Sequence, residues 1–259
     1  MQNIQIENIH ETFNYTLLKD VYYDILLPCF PNPDDHLSWF KVKYMIKKNL
    51  ESTTDNDRII LIVSKQLMED GRIEPISFIL GVYYKKSQTG LISYMGVRPG
   101  HEKSANNIQK TLLRELEKVS NQYDGKLKAV FSMVELPEHS NLQYVTIDPV
   151  LRLKIMERHG ARHIPIDFVY PSFGTSIFAY LFGKVTYKQD AALLGYTLYD
   201  AIPTERPQFI KNFIDDFYTS YDINPNQNPM VIRMKNQLDN IPIGIKSRLS
   251  QKYKKSTER

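Results

Sequence analysis

The chain has 259 residues, 42% apolar and 12% aromatic, which allows a sizeable core and excludes wholesale disorder. Its formal charge of +4 is uneven: residues 246–259 hold six Lys or Arg against Glu258, a local +5, so residues 1–245 carry −1. The basic character belongs to a solvated tail, so nucleic acid is not expected as a partner, and no apolar run reaches the ~20 residues of a membrane span.

The opening MQNIQIENIHE is polar and mixed, unlike a leader, and a soluble, cytoplasmic protein is expected. Phe13, Leu17, Leu18, Val21 and Ile25 share a helical face over 12–27, with Pro28 and Pro31 as stops. Cys29 is the one cysteine, so no intramolecular disulfide forms; it reads as a buried structural thiol. Pro33-Asp34-Asp35 signals a helix over 36–50, followed by a loop at 52–57. Arg58 to Val63 and Ile76 to Tyr84 read as strands, with a turn at Gly71. KKSQTG, 85–90, reads as a hairpin loop into a strand over 91–97.

Pro99-Gly100 and a polar loop lead from that strand into a helix over 105–123. A strand feeding a short loop into a helix N-terminus gathers free N–H groups and the positive end of a dipole, which suits phosphate. Asp124-Gly125 breaks the helix, and Leu127 to Val134 reads as a buried strand. A polar loop, 136–147, precedes a helix that Asp148 caps, Pro149 starts and Gly160 ends. Arg162 to Tyr170 reads as a strand, as do 175–187 and 191–201. Helices are expected over 207–221 and 229–239. Nothing demands a domain boundary before about residue 240, so the layout is α/β around one central mixed sheet.

Three stretches in this order resemble the GNAT superfamily of acyl-CoA-dependent N-acyltransferases. Tyr94-Met95-Gly96-Val97-Arg98-Pro99 is similar to the strand that ends before that family's cofactor loop. AVFSMVE, 129–135, is similar to a neighbouring strand ending in a carboxylate. DPVLRLKIMERHGARHIPIDFVYPSF, 148–173, resembles the closing helix–strand unit, and PCFPNPDD, 28–35, a helix-to-helix turn of some bacterial members. The resemblance covers about residues 12–173. It implies an acyltransferase domain over 1–173, an extension over 174–245 and a basic tail over 246–259.

The resemblance further implies transfer of acetyl from acetyl-CoA to a primary amine on a small molecule or peptide. Met95, Gly96 and Val97 would meet the cofactor's amide arm and supply an oxyanion donor. His101, Lys103, Ser104, Ala105, Asn106 and Asn107 would meet its pyrophosphate. Here this chain departs from the family: HEKSANNIQ, 101–109, has no glycine after Gly100, and Glu102 brings a negative charge. Glu135 is the expected base, with Glu138 and His139 just beyond it. Met156 stands where the family often has an acidic tyrosine, so Tyr144 or Tyr170 is the candidate proton donor to the thiolate. No metal is expected, because His159 and His163 lack suitably spaced partners. A degenerate, non-catalytic binding module is the second reading, and the strands over 175–201 could cover the sheet edge or pair with another subunit as a homodimer.

Overall fold

The computed structural model describes residues 4–51, 57–102, 104–123, 125–140, 146–171, 187–196 and 207–241. The chain forms two compact units, residues 1–127 and 128–259. Both combine strands with flanking helices, the expected α/β class.

In the first unit, β1 (Ile4–Asn8), β2 (Arg58–Leu67), β3 (Ile73–Tyr84) and β4 (Thr89–Val97) pair in that order, every neighbour antiparallel. β1 was not expected from the polar N-terminal sequence. It is an edge strand whose Ile4 and Ile6 are both exposed, so its apolar residues mark no core face. The helix expected over 12–27 is α1 (Tyr15–Val21), a π turn over Tyr22–Leu26 and the short α2 (Leu27–Cys29). Pro28 does not stop it. Leu27 N–H donates to Tyr22 O in the wider π register directly before Pro28, and the helical backbone continues through Pro28 to Cys29. Pro33–Asp35 forms a 3₁₀ turn, and α3 (Trp39–Glu51) begins later than expected.

α4 (Ser104–Gln122) packs on β2 and β3 through Ile108, Leu112 and Leu116, all fully buried. Tyr83 Oη donates to Ser120 Oγ at 3.2 Å, and the Tyr83 and Tyr123 rings stack at 6.2 Å. On the other face of the sheet, Gly96 lies against Phe78 and Ile25; a Cβ there would stand 2.5 Å from the Phe78 ring.

In the second unit, β9 (Ala191–Tyr196) runs between β5 (Ala129–Glu135) and β6 (Ala161–His163), antiparallel to both. α5 (Pro149–Arg158) starts as expected, with Asp148 Oδ1 accepting from Leu151 N–H at 2.7 Å, and stops before Gly160. The strand expected over 162–170 is interrupted. After β6 the chain makes two tight turns, Ile166 N to Ile164 O at 2.8 Å and Phe168 N to Ile166 O at 2.9 Å. Pro165 has no N–H for a ladder, so the pairing fails there. Asp167 N–H donates instead to Gln237 Oε1, on α7 (Pro229–Asp239). Only Tyr170–Pro171 resumes as β7, paired with β8 (Tyr187–Lys188). α6 (Pro207–Thr219) seats Phe213 against Phe131, ring centroids 4.2 Å apart. Most of the expected strand at 175–187, part of 191–201, the loop at 52–56 and the tail lie outside the described residues.

Two outcomes follow from the first unit. Gly96→Ala should lower unfolding stability by about 1–3 kcal/mol in urea titration, because Phe78 must move to admit the methyl. Glu7, on β1, accepts from Asn14 at 2.9 Å and pairs with Lys65. Burial pushes its carboxyl up, but the Lys65 and Asn14 hydrogen bonds together outweigh this and hold it below its ordinary 4.5. That stabilisation is complete above the unfolded value and is lost as pH falls through the lower folded one. Lys65→Met should therefore flatten the acid limb of the stability–pH curve; an unchanged limb would show that the pair contributes nothing.

Candidate functional site

The strand–turn–helix joint lies within the first unit. β4 carries a bulge: Leu80 faces Tyr94 but Gly81 faces Ile92, so Ser93 is an extra residue. The bulge stands two residues before the Met95–Val97 stretch expected to hold an oxyanion donor. Met95, Gly96 and Val97 themselves keep a regular register against Ile79, Phe78 and Ser77. The Val97 carbonyl accepts from Cys29 Sγ at 3.7 Å, and burial pushes the Cys29 thiol up, so this half-buried residue behaves as a structural thiol. Arg98 N–H donates to Ile76 O, while its guanidinium pairs with Glu74 and lies 3.6 Å from Asp24. Arg98 is therefore already neutralised by acids.

Gly100 takes the left-handed conformation the turn requires, φ +86°. His101 N–H donates to Arg98 O, and Ser104 N–H and Oγ both donate to His101 O. The loop is short: Ser104, Ala105, Asn106 and Asn107 form the first turn of α4 rather than an extended cradle. Ser104 is buried, and Asn107 O accepts from Thr111 Oγ1. Lys103 lies outside the described residues. The first N–H groups of any helix lack intrahelical partners, so this end of a 19-residue helix retains donors and a positive dipole. Glu102 bends back onto the turn. Its Oε1 accepts from Gly100 N–H at 2.9 Å, and its own and Gly100's backbone N–H groups hold the carboxyl below its usual value.

In the second unit, Glu135 ends β5 opposite Ala191. Arg152 of α5 places Nη2 3.7 Å from Glu135 Oε2, a cation that the strand pattern alone did not point to. Arg152 lies one turn inside the Asp148 cap, a position that carries no sequence signal for a partner on β5. Leu136 N–H donates to Asp190 O at 2.7 Å, and Tyr170 Oη donates to Asp190 Oδ1 at 2.6 Å. Glu135 and Tyr170 are thus both anchored on the corner at Asp190-Ala191. Glu138 and His139 sit exposed on a 3₁₀ turn just beyond. Tyr144 lies outside the described residues. Met156 is half-buried on α5, and His159 is exposed at the end of that helix.

No protein-family model and no curated protein sequence matches the chain. Solved acetyltransferases are similar to it in fold. The aminoglycoside 6'-N-acetyltransferase from Enterococcus faecium is 14% identical with a TM-score of 0.42, over 76% of this chain and 99% of that one. N-acetylglutamate synthase from Neisseria gonorrhoeae, solved with coenzyme A and N-acetyl-glutamate, is 10% identical with a TM-score of 0.40, over 76% and 35%. A tandem GNAT protein from the clavulanic acid biosynthesis pathway is 12% identical with a TM-score of 0.40, over 64% and 46%. Likeness at this level decides nothing about chemistry.

Tyr170→Phe removes a donor from the Asp190 carboxylate in a partly buried setting. It should lower stability by about 1–3 kcal/mol in denaturant titration, the cost of a lost hydrogen bond to a charged group. A change within error would mean that water replaces the phenol.

Proposed function

We propose that the chain is an acyl-CoA-dependent N-acyltransferase that moves acetyl from acetyl-CoA to a primary amine. The observation that carries the reading is one joint: bulged β4, the Pro99-Gly100 turn and the N-terminus of α4, in the stretch that resembles the GNAT superfamily. Its chemistry fits a pyrophosphate, because backbone N–H groups and a helix dipole converge there. His101, Lys103, Ser104, Ala105, Asn106 and Asn107 would hold the phosphates, and Met95, Gly96 and Val97 the amide arm. Acetyl-CoA supplies the activated thioester. Glu135, oriented by Arg152, would take a proton from the substrate ammonium, directly or through water. The neutral amine then attacks the carbonyl, the C–S bond breaks, and the thiolate takes up a proton. Tyr170 or Tyr144 would supply that proton; Tyr170 would first have to release Asp190. A small-molecule or peptide acceptor, a cytoplasmic setting, a homodimer, and the division into a body over 1–173 with an extension over 174–245 belong to the same proposal.

One observation favours the alternative of a degenerate binding module. The Glu102 carboxylate holds the Gly100 N–H that a phosphate would need. Calorimetry with CoA and acetyl-CoA separates the readings. Glu102→Gln should tighten CoA binding roughly two- to fivefold, as expected for removing a screened charge near a helix N-terminus. Absence of binding to both wild type and Glu102→Gln at millimolar ligand would sink the cofactor claim. Glu135→Gln should lower kcat about a hundredfold or more on a responsive amine while leaving CoA affinity unchanged. CoA binding without turnover across an amine panel would support the module.

A further inference from the structure

Three side chains that acyl transfer does not use meet where the chain leaves β1 and passes the middle of α4. His10 follows β1, and its side chain is only 8% exposed. Its Nδ1 lies 3.2 Å from the Leu61 carbonyl oxygen. A carbonyl only accepts, so this contact assigns the ring proton to Nδ1 and the lone pair to Nε2. Nε2 points at Glu115 Oε2 from 3.8 Å, beyond hydrogen-bond reach. Burial lowers the imidazole below its ordinary value, against the opposing pull of the Leu61 carbonyl, Glu11 and Glu115, and Lys118 adds to the lowering.

One donor atom each from His10, Glu11 and Glu115 lies within 4.8 Å of the others. The two carboxylates already converge on a cation. Lys118 Nζ stands 2.6 Å from Glu11 Oε1 and 3.3 Å from Glu115 Oε2. A histidine whose far nitrogen is fixed by a carbonyl, and whose near nitrogen faces two carboxylates, has the outer-shell arrangement typical of metal-ligating imidazoles.

We propose that His10, Glu11 and Glu115 form a site for a divalent first-row transition metal of the Zn²⁺ class, which displaces the Lys118 ammonium. One imidazole and two carboxylates suit such an ion, whereas Mg²⁺ and Ca²⁺ prefer more oxygen ligands than this cluster offers. Metal–ligand bonds of about 2.0–2.2 Å require the carboxylates to close in on Nε2. Glu11 is half exposed and on a turn, so it can move, while His10 is held in place. Lys118 is 51% exposed and can turn into solvent. Solvent completes the coordination. The ion would clamp the turn after β1 to α4, a structural role separate from the acyl-transfer residues.

The test uses the full chain without a histidine tag. Zn²⁺ calorimetry should give one site per chain, and Co²⁺ should produce visible ligand-field bands. Lys118→Met should bind Zn²⁺ at least as tightly as wild type, since it removes the competing cation. His10→Gln should weaken binding about tenfold or more and abolish the Co²⁺ bands. Glu115→Gln, a half-buried change on α4, tests the same loss independently if His10→Gln fails to fold. Excess Mg²⁺ should not compete. The proposal is overturned if wild type and Lys118→Met both fail to bind at about 0.1 mM Zn²⁺, or if His10→Gln and Glu115→Gln bind as tightly as wild type.

Discussion

The close approach of α4 to the sheet of the first unit depends on a missing methyl group. A Cβ on Gly81 would stand 3.0 Å from both Leu112 Cδ1 and the Leu91 carbonyl oxygen. With no side chain there, Leu112 settles into β3, and the stripe of Ile108, Leu112 and Leu116 is buried along its length. Tyr83 and Ser120 then tie the far end of the helix to the same strand. Once α4 is seated, its N-terminus must follow the Pro99-Gly100 turn, and its outer face must bring Glu115 and Lys118 beside His10. Both sites of interest in this unit therefore depend on how one helix packs, rather than on the loops that carry most of their residues.

What was legible in the sequence follows from which physical signals leave a mark in residue order. α4, α5 and the two C-terminal helices carry apolar stripes or explicit caps, and they lie within a few residues of the expected positions. β2, β3 and β4 are rich in β-branched and aromatic residues, and all three extend beyond the stretches expected. β1 was missed because its isoleucines face outward; burial, which the pattern reports, is absent there. Pro28 was read as a stop because proline is incompatible with an α register. A π turn changes that register, and a wider turn has no sequence signature of its own. The break after His163 was written in Pro165, but the apolar run around it concealed the interruption.

The candidate site was legible in part for the same reason. Glu135 at a strand end and the glycine turn before a helix are positional features, and the structure has both. The partners were not legible. Arg152 reaches Glu135 from another element, and Glu102 folds back on its own loop. Such contacts depend on side-chain reach across space, which spacing along the chain does not encode.

A common electrostatic condition links these places. Glu102 supplies an anion to the Gly100 N–H, Arg152 supplies a cation to Glu135, and Lys118 supplies a cation to Glu11 and Glu115. Each of these three places already has an internal partner. Binding there is an exchange of partners, so its free energy is the difference between ligand and resident ion, not the full attraction of a bare site. Solvent exposure decides how easily the exchange occurs. Glu102 and Lys118 are both exposed, so the contact each makes is open to water and weakened by solvent and salt. The Glu135–Arg152 pair is half-buried on both sides, so removing either partner would leave the other partly desolvated. On the proposed reading, that pair orients Glu135, and a ligand would displace the exposed Glu102 carboxylate or Lys118 ammonium.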